Sequence, residues 1–292
     1  MKSLKPIMIA GTGSDVGKSM IVAAICRMLL QDGYHPAPFK AQNMAPYYFT
    51  TEKGDRLSIA QAIQAKASGI APSALLNPVL MMPSSAIESK IYCLGQEYGT
   101  QKAREYFRMT EGREELKRKA WNAYDQLKTQ FNPIVLEGAG SVSELNLLET
   151  DFVNMPMAAY AGANVFLVAD IERGGVFANL YGSVMLQKPE YKQLIKGLII
   201  NKFRGDIELF LPAIKKIEEL TGVPVIGVIP YLDGHRLPSE DTLSDYECHK
   251  ADYYAEDLQG YETALDVMAA HVRSHIDMNK FYEINSTNIV LG

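Results

Sequence analysis

Residues 9–19, IAGTGSDVGKS, constrain what this chain can fold into more than any other stretch. The apolar run Pro6 to Ala10 leads in, and Gly17 to Leu30 (GKSMIVAAICRMLL) leads out with helical spacing, closed by Asp32-Gly33. A glycine loop between a buried strand and a helix turns successive backbone N–H groups and the helix N-terminus toward an anion. The usual phosphate loop spaces glycine, four residues, then Gly-Lys-Ser/Thr. In that register the first glycine would fall on Thr12, which Gly11 and Gly13 flank. Taken from Gly11, the cradle is one residue longer. Lys18 then reaches the outer phosphates and the Ser19 hydroxyl ligates Mg²⁺.

The alternation begun here continues. Ala37–Lys40, Pro133–Leu136, Asn164–Val168, Gly197–Ile200 and Val223–Ile229 are near-continuous apolar runs. Leu57–Ser68 and Tyr261–His275 read as helices, and Thr100–Gln130 as a long charged helical region kinked around Gly112. Strands buried on both faces and alternating with helices predict an α/β fold, a doubly wound, mostly parallel sheet with helices on both faces. Residues 236–260 are acidic and aperiodic and read as a surface loop, whereas NSTNIVLG at the end has no assignment. The expected organisation is one large domain over 1–235, with 236–292 supplying an acidic loop and a C-terminal helix packed on it.

A magnesium-dependent phosphate site also needs a carboxylate at the end of a neighbouring buried strand. In NPIVLEGAGS, Glu137 follows the apolar run directly and precedes a glycine turn, where ligands bind in such sheets. Asp170 ends another run and is the weaker candidate. Nucleotide phosphates with Mg²⁺ imply phosphoryl transfer or hydrolysis.

Composition narrows the partners. A net charge of −5 over 292 residues argues against a nucleic-acid footprint. No run approaches a membrane span, and the apolar stretch at the N-terminus is too short for an export signal, so a cytoplasmic setting is expected. Cys26, Cys93 and Cys248 lie far apart, which suits a reducing compartment and gives no zinc pattern.

Several stretches together resemble one family. They are FKAQNM from Phe39, AQAIQA from Ala60, NPVL from Asn77, EGAGS from Glu137, ELNL from Glu144, DIERGGVFA from Asp170 and INKFRGD from Ile200. In this order, over roughly Ile7 to Leu243, they resemble the synthetase domain of cobyric acid synthase, a relative of dethiobiotin synthetase with the same elongated loop. The resemblance implies a P-loop NTPase-type, dethiobiotin-synthetase-like fold and ATP-dependent amidation. Carboxylates of a corrinoid, adenosylcobyrinic acid a,c-diamide, would become acyl phosphates that ammonia attacks. By position it implies that Thr12, Gly13, Asp15, Val16, Gly17, Lys18, Ser19 and Met20 bind ATP, with Asn201 at the adenine. Ser19 and Glu137 would hold Mg²⁺. Lys18, Lys40 and Glu137 would be catalytic, and Gln42, Asn43, Ser141, Asn146 and Arg173 would face the acid. Plainer readings stay open: a surface lysine at Lys40, a cap at Asn201, a turn residue at Asn146, and an ion-pair partner of Glu172 or Asp170 at Arg173.

The chain departs from the family pattern in four places. KAQNM continues as Ala45-Pro46-Tyr47-Tyr48 rather than Ser-x-Asn-Ser, and Met82 stands where a lysine is usual. Arg56 occupies the place of a glutamate, so either Asp55 beside it supplies the metal carboxylate on a shifted backbone or that ligand is missing. Family members usually add a glutamine amidotransferase domain, yet no cysteine here stands in a G-x-C-x-G elbow. Ammonia would come from solution, from a separate glutaminase subunit, or from a domain not in this chain. The acid itself stays open: a corrinoid, or a smaller acid handled by a dethiobiotin-synthetase-like ligase. A nucleotide-switch ATPase of the chromosome-partitioning kind is a third reading, although its early loop lysine is replaced by Gly13. Pairing as a homodimer across the nucleotide face is common in this fold.

Overall fold

The computed structural model describes residues 3–85, 88–102, 111–233 and 252–287. Six described strands form the central sheet: β1 (Ile7–Gly11), β2 (Ala37–Phe39), β9 (Ile134–Glu137), β10 (Asn164–Asp170), β11 (Ile195–Phe203) and β12 (Val225–Pro230). Their order is β12-β11-β10-β1-β9-β2, and every pairing is parallel. These are the six apolar runs of the sequence. All five residues of β1 are buried. Ile7 and Ile9 face one core while Met8 and Ala10 face the other, the alternation that a strand covered on both sides requires.

On the first face lie α1 (Lys18–Gln31), α2 (Ile59–Ala67), α8 (Glu262–His275) and α9 (Met278–Asn285). On the second lie α3 (Glu111–Leu127), α4 (Met155–Ala161), α5 (Val176–Met185) and α7 (Ile207–Thr221), with the single turn α6 (Pro189–Lys192) nearby. The doubly wound architecture is therefore as the sequence implies.

Two smaller sheets had no counterpart in the sequence reading. One runs β3-β6-β7-β8, with β3 (Gln42–Met44), β6 (Val79–Pro83), β7 (Glu88–Cys93) and β8 (Gln96–Lys102). The other runs β13-β4-β5, with β4 (Tyr48–Thr50), β5 (Arg56–Ser58) and β13 (Asp252–Tyr253). Two boundaries move as a result. Thr100–Lys102 close β8 rather than open a helix, and α3 begins at Glu111 with Gly112 in its first turn. Leu57 and Ser58 end β5, and the Ser58 hydroxyl caps α2 by accepting from Ala60 N–H. Residues 103–110 and most of the acidic stretch 236–260 lie outside the described residues.

Candidate active site

The first βα turn and the end of β9 meet where the connections from the central strand leave in opposite directions, the crevice in which open α/β sheets bind ligands. Gly17, at φ 94°, takes the N-cap position of α1 with no side-chain cap, so the helix start is shaped for an external anion. A Cβ on Gly11 would meet the Lys18 amine at 2.8 Å and the Gly13 carbonyl at 2.9 Å. Glycine is needed at position 11 because the lysine folds back over it. Lys18 Nζ donates to Gly13 O at 2.8 Å and Gly140 O at 2.9 Å, spanning the loop and the turn after β9. Ser141 Oγ donates to Thr12 O at 2.9 Å, closing the same seam.

Glu137 is the centre of the site. It is 1% exposed, a buried strand-end carboxylate rather than a solvated loop residue. Ser19 Oγ and Lys40 Nζ each lie 2.7 Å from its Oε1. Gln64 Nε2 donates to Oε2 at 2.6 Å and Gln61 Nε2 at 3.3 Å. Burial pushes the Glu137 carboxyl up. The Lys40 charge, with hydrogen bonds from Lys40, Gln64 and Ser19, more than reverses that and holds it below the ordinary carboxylate range. Lys40 is 5% exposed and its backbone is pinned at both ends, by Leu76 O on its N–H and by Asn77 Nδ2 on its carbonyl. It is no surface lysine, and the NPVL stretch serves to seat it.

A cavity of about 520 Å³ opens onto this cluster. Asp15, Lys18, Ser19, Lys40, Gln42, Asn43, Glu137 and Ser141 are among the residues that line it. Sequence reasoning did not single out three further lining residues: Arg113, Asp151 and Asn154. Arg113 Nε donates to Thr150 O at 3.0 Å, with its guanidinium 5.1 Å from the Phe152 ring centre. Burial raises the Asp151 carboxyl, against hydrogen bonds from the N–H groups of Val153 and Asn154 and the charge of Arg113. Nothing in the sequence marked them: Arg113 stands among many charged residues in EGREELKRK, and Asp151 and Asn154 follow no motif.

The other predicted residues fall outside this cavity. Asn201 Nδ2 donates to Val16 O at 2.9 Å, under the loop, and a Cβ on Gly17 would meet that nitrogen at 2.2 Å. Asn201 thus supports the loop from beneath; it does not cap a strand. Neighbouring Lys202 Nζ reaches Asp15 O at 2.6 Å and Asp170 Oδ2 at 2.9 Å. That ion pair occupies Asp170, away from the cavity. Arg173 is 74% exposed at its side chain, faces Asp15 at 3.5 Å and does not line the cavity. Glu172 pairs with Arg204 instead. Asn146 is exposed and does not line the cavity, although Glu144 and Leu147 beside it do. Asp55 is a correction: its carboxylate accepts from Gln96 Nε2 at 2.6 Å in the β4–β5 turn, and the fold does not bring it to Ser19 and Glu137.

Two departures from the family pattern explain each other. The Arg56 guanidinium lies 4.4 Å from the Tyr48 ring centre and 5.0 Å from that of Tyr92, a cation–π stack joining the two small sheets. The cysteines are packing residues where described: burial pushes the Cys26 thiol up to about 12, and Cys93 is buried.

Comparison with known proteins bears on this geometry. Residues 7–243 match the CobQ/CobB/MinD/ParA nucleotide binding domain. The chain belongs to this family. Its relatives include cobyric acid synthase of Phocaeicola vulgatus, 52% identical over 96% of this chain and 55% of that protein. The enzyme of Bacteroides fragilis is 55% identical over 83% of this chain and 49% of that protein. The chain thus spans about half the length of the curated relatives it matches. The signal recognition particle receptor FtsY from Elizabethkingia anophelis, solved with GDP, overlaps 79% of this chain and 58% of that one. Its TM-score is 0.47 at 14% identity, a likeness too loose to bear on function. Among the described residues no helix is long and apolar enough to cross a membrane.

Proposed function

We propose that this chain is the ATP-dependent ligase module of a corrinoid-amidating enzyme, converting peripheral carboxylates to amides through acyl phosphates. One observation carries the proposal: a single cluster, Ser19 with the buried Glu137 and Lys40, joins the phosphate loop to a cavity large enough for an organic acid's side arm. The cobyric acid synthases among its relatives support the choice of acid.

Both reacting groups are anions, so their approach needs fixed positive charge. Lys18, at the loop, and Lys40, beside Glu137, supply it. The substrate carboxylate oxygen attacks the terminal phosphorus and ADP leaves. Ammonia then attacks the acyl carbon, and phosphate departs with the former carboxylate oxygen. This splits one difficult substitution into two easier ones. Ser19 Oγ and the ionised Glu137 are hard oxygen donors on one spot, a donor set that suits Mg²⁺. When bound, Mg²⁺ would screen charge between the phosphates and the acid. Gln42, Asn43 and Ser141 orient the acid. Ammonia arrives from solution or from a separate glutaminase, and a homodimer remains the oligomeric proposal.

The test is ATP consumption by the purified chain with ammonia across corrinoid acids and small dicarboxylic acids, with amides scored by mass. The proposal expects ADP release coupled to amide formation on cobyrinic acid a,c-diamide. Coupling only to a smaller acid would reassign the substrate, and acid-independent hydrolysis would point to a nucleotide switch.

A further inference from the structure

Two buried glutamines of α2 stand behind the Ser19–Glu137 pair, and the chemistry above leaves them unused. Gln64 Nε2 donates to Glu137 Oε2 at 2.6 Å and to the Ser19 carbonyl oxygen at 3.2 Å. Gln61 Nε2 donates to the same Oε2 at 3.3 Å and to Gln64 Oε1 at 3.3 Å. Its own Oε1 accepts from Asn43 Nδ2 at 3.1 Å. Both glutamines are fully buried, and Asn43 lines the cavity. The i, i+3 spacing sets them on one helix face, and that face abuts the end of β9.

Burying two primary amides carries a desolvation cost that an apolar helix face would avoid. Here nearly all of their hydrogen-bonding capacity goes to the site. The two hydrogens of Gln64 Nε2 reach two different chain segments, a phosphate-loop carbonyl and a strand-end carboxylate. The terminal torsion of a glutamate is otherwise broad and two-fold. Oε2 is held by the two amides and Oε1 by Ser19 and Lys40, so that torsion is fixed with Oε1 turned toward Ser19.

We propose that Gln64 is the positioning residue that sets the spacing and orientation of Ser19 and Glu137 for a divalent cation, and that Gln61 ties this carboxylate to Asn43 on the acid side. The inference rests on Ser19 and Glu137 being the cation's ligands. Calorimetric titration with a non-hydrolysable ATP analogue, with and without Mg²⁺, tests it in wild type, Gln64→Met and Gln61→Met. Gln64→Met is expected to bind the metal-free analogue as wild type does, while the affinity gained from Mg²⁺ falls roughly tenfold or more, as for other outer-shell partners of a ligand carboxylate. Gln61→Met, with its longer bond, should lose less of that gain. An undiminished gain in Gln64→Met overturns the positioning role. Should that variant not fold, Gln64→Asn, whose amide stops one methylene short of the carboxylate, is titrated in its place, and an undiminished gain there overturns the role. No Mg²⁺ gain in wild type would instead remove the ligand assignment of Ser19 and Glu137 and the inference with it.

Discussion

Lys40 and Glu137 hold opposite charges 2.7 Å apart with both side chains almost wholly buried, so each compensates the other. Glu137→Gln leaves the Lys40 ammonium buried beside a neutral amide. It should cost about 3 kcal/mol in denaturant unfolding, in the range measured for breaking buried pairs. The pH sign follows from the lowered carboxyl: its contribution is whole above the ordinary value of 4.5 and is lost as pH falls through the lower folded value. The stability gap between wild type and Glu137→Gln should therefore hold at neutral pH and narrow only under acid conditions. Lys18→Ala is different in kind, because the amine it removes bonds the loop carbonyls of Gly13 and Gly140. Turnover should vanish while thermal unfolding stays near wild type; normal product formation would remove the phosphate role. Glu137 was legible in the sequence because it ends an apolar run. Gln61 and Gln64 were not, because polar residues in an alanine-rich helix read as a wet face until the strand that covers them is known.

At the scale of elements, the strand–loop–helix unit is where the sequence speaks most clearly. All six core strands could be read from their composition, since burial on both faces leaves apolar runs such as Val165–Val168 and Gly197–Ile200 unbroken by polar residues. The small sheets carry Gln, Glu, Lys and Ser along β7 and β8, so their pattern resembles charged helix or loop. Asp55 was misplaced for the same reason: its position depends on the β4–β5 turn, which no local periodicity announces. The loop itself makes a sharp prediction. Gly17→Ala forces a side chain into left-handed backbone, at about 1–2 kcal/mol, and against Asn201 Nδ2. Loss of nucleotide binding with only a modest drop in melting temperature is expected, measured by calorimetry and thermal unfolding on one sample.

Across the whole molecule, the C-terminal helices are built into the nucleotide-binding sheet. Arg273 forks onto both carboxylate oxygens of Asp32 at the end of α1, and the Tyr282 hydroxyl joins the same carboxylate. Arg27 pairs with Asp266 at 2.7 Å. Phe281, 1% exposed, lies 5.3 Å from Phe166 of β10, centre to centre. Phe281→Ala should destabilise by about 3–5 kcal/mol, as large-to-small changes in packed cores do, in a single unfolding transition. A small loss, or a separate early transition, would mean that these helices fold apart from the sheet.

The central claim is that the elongated glycine loop presents the terminal phosphate of ATP to a carboxylate held beside Lys40 and Glu137. The most direct measurement uses cobyrinic acid a,c-diamide labelled with ¹⁸O in its carboxylates, together with ATP, Mg²⁺ and ammonia. Transfer of ¹⁸O into the released inorganic phosphate, in step with amide formation, is the expected result. Unlabelled phosphate alongside a newly formed amide would contradict it.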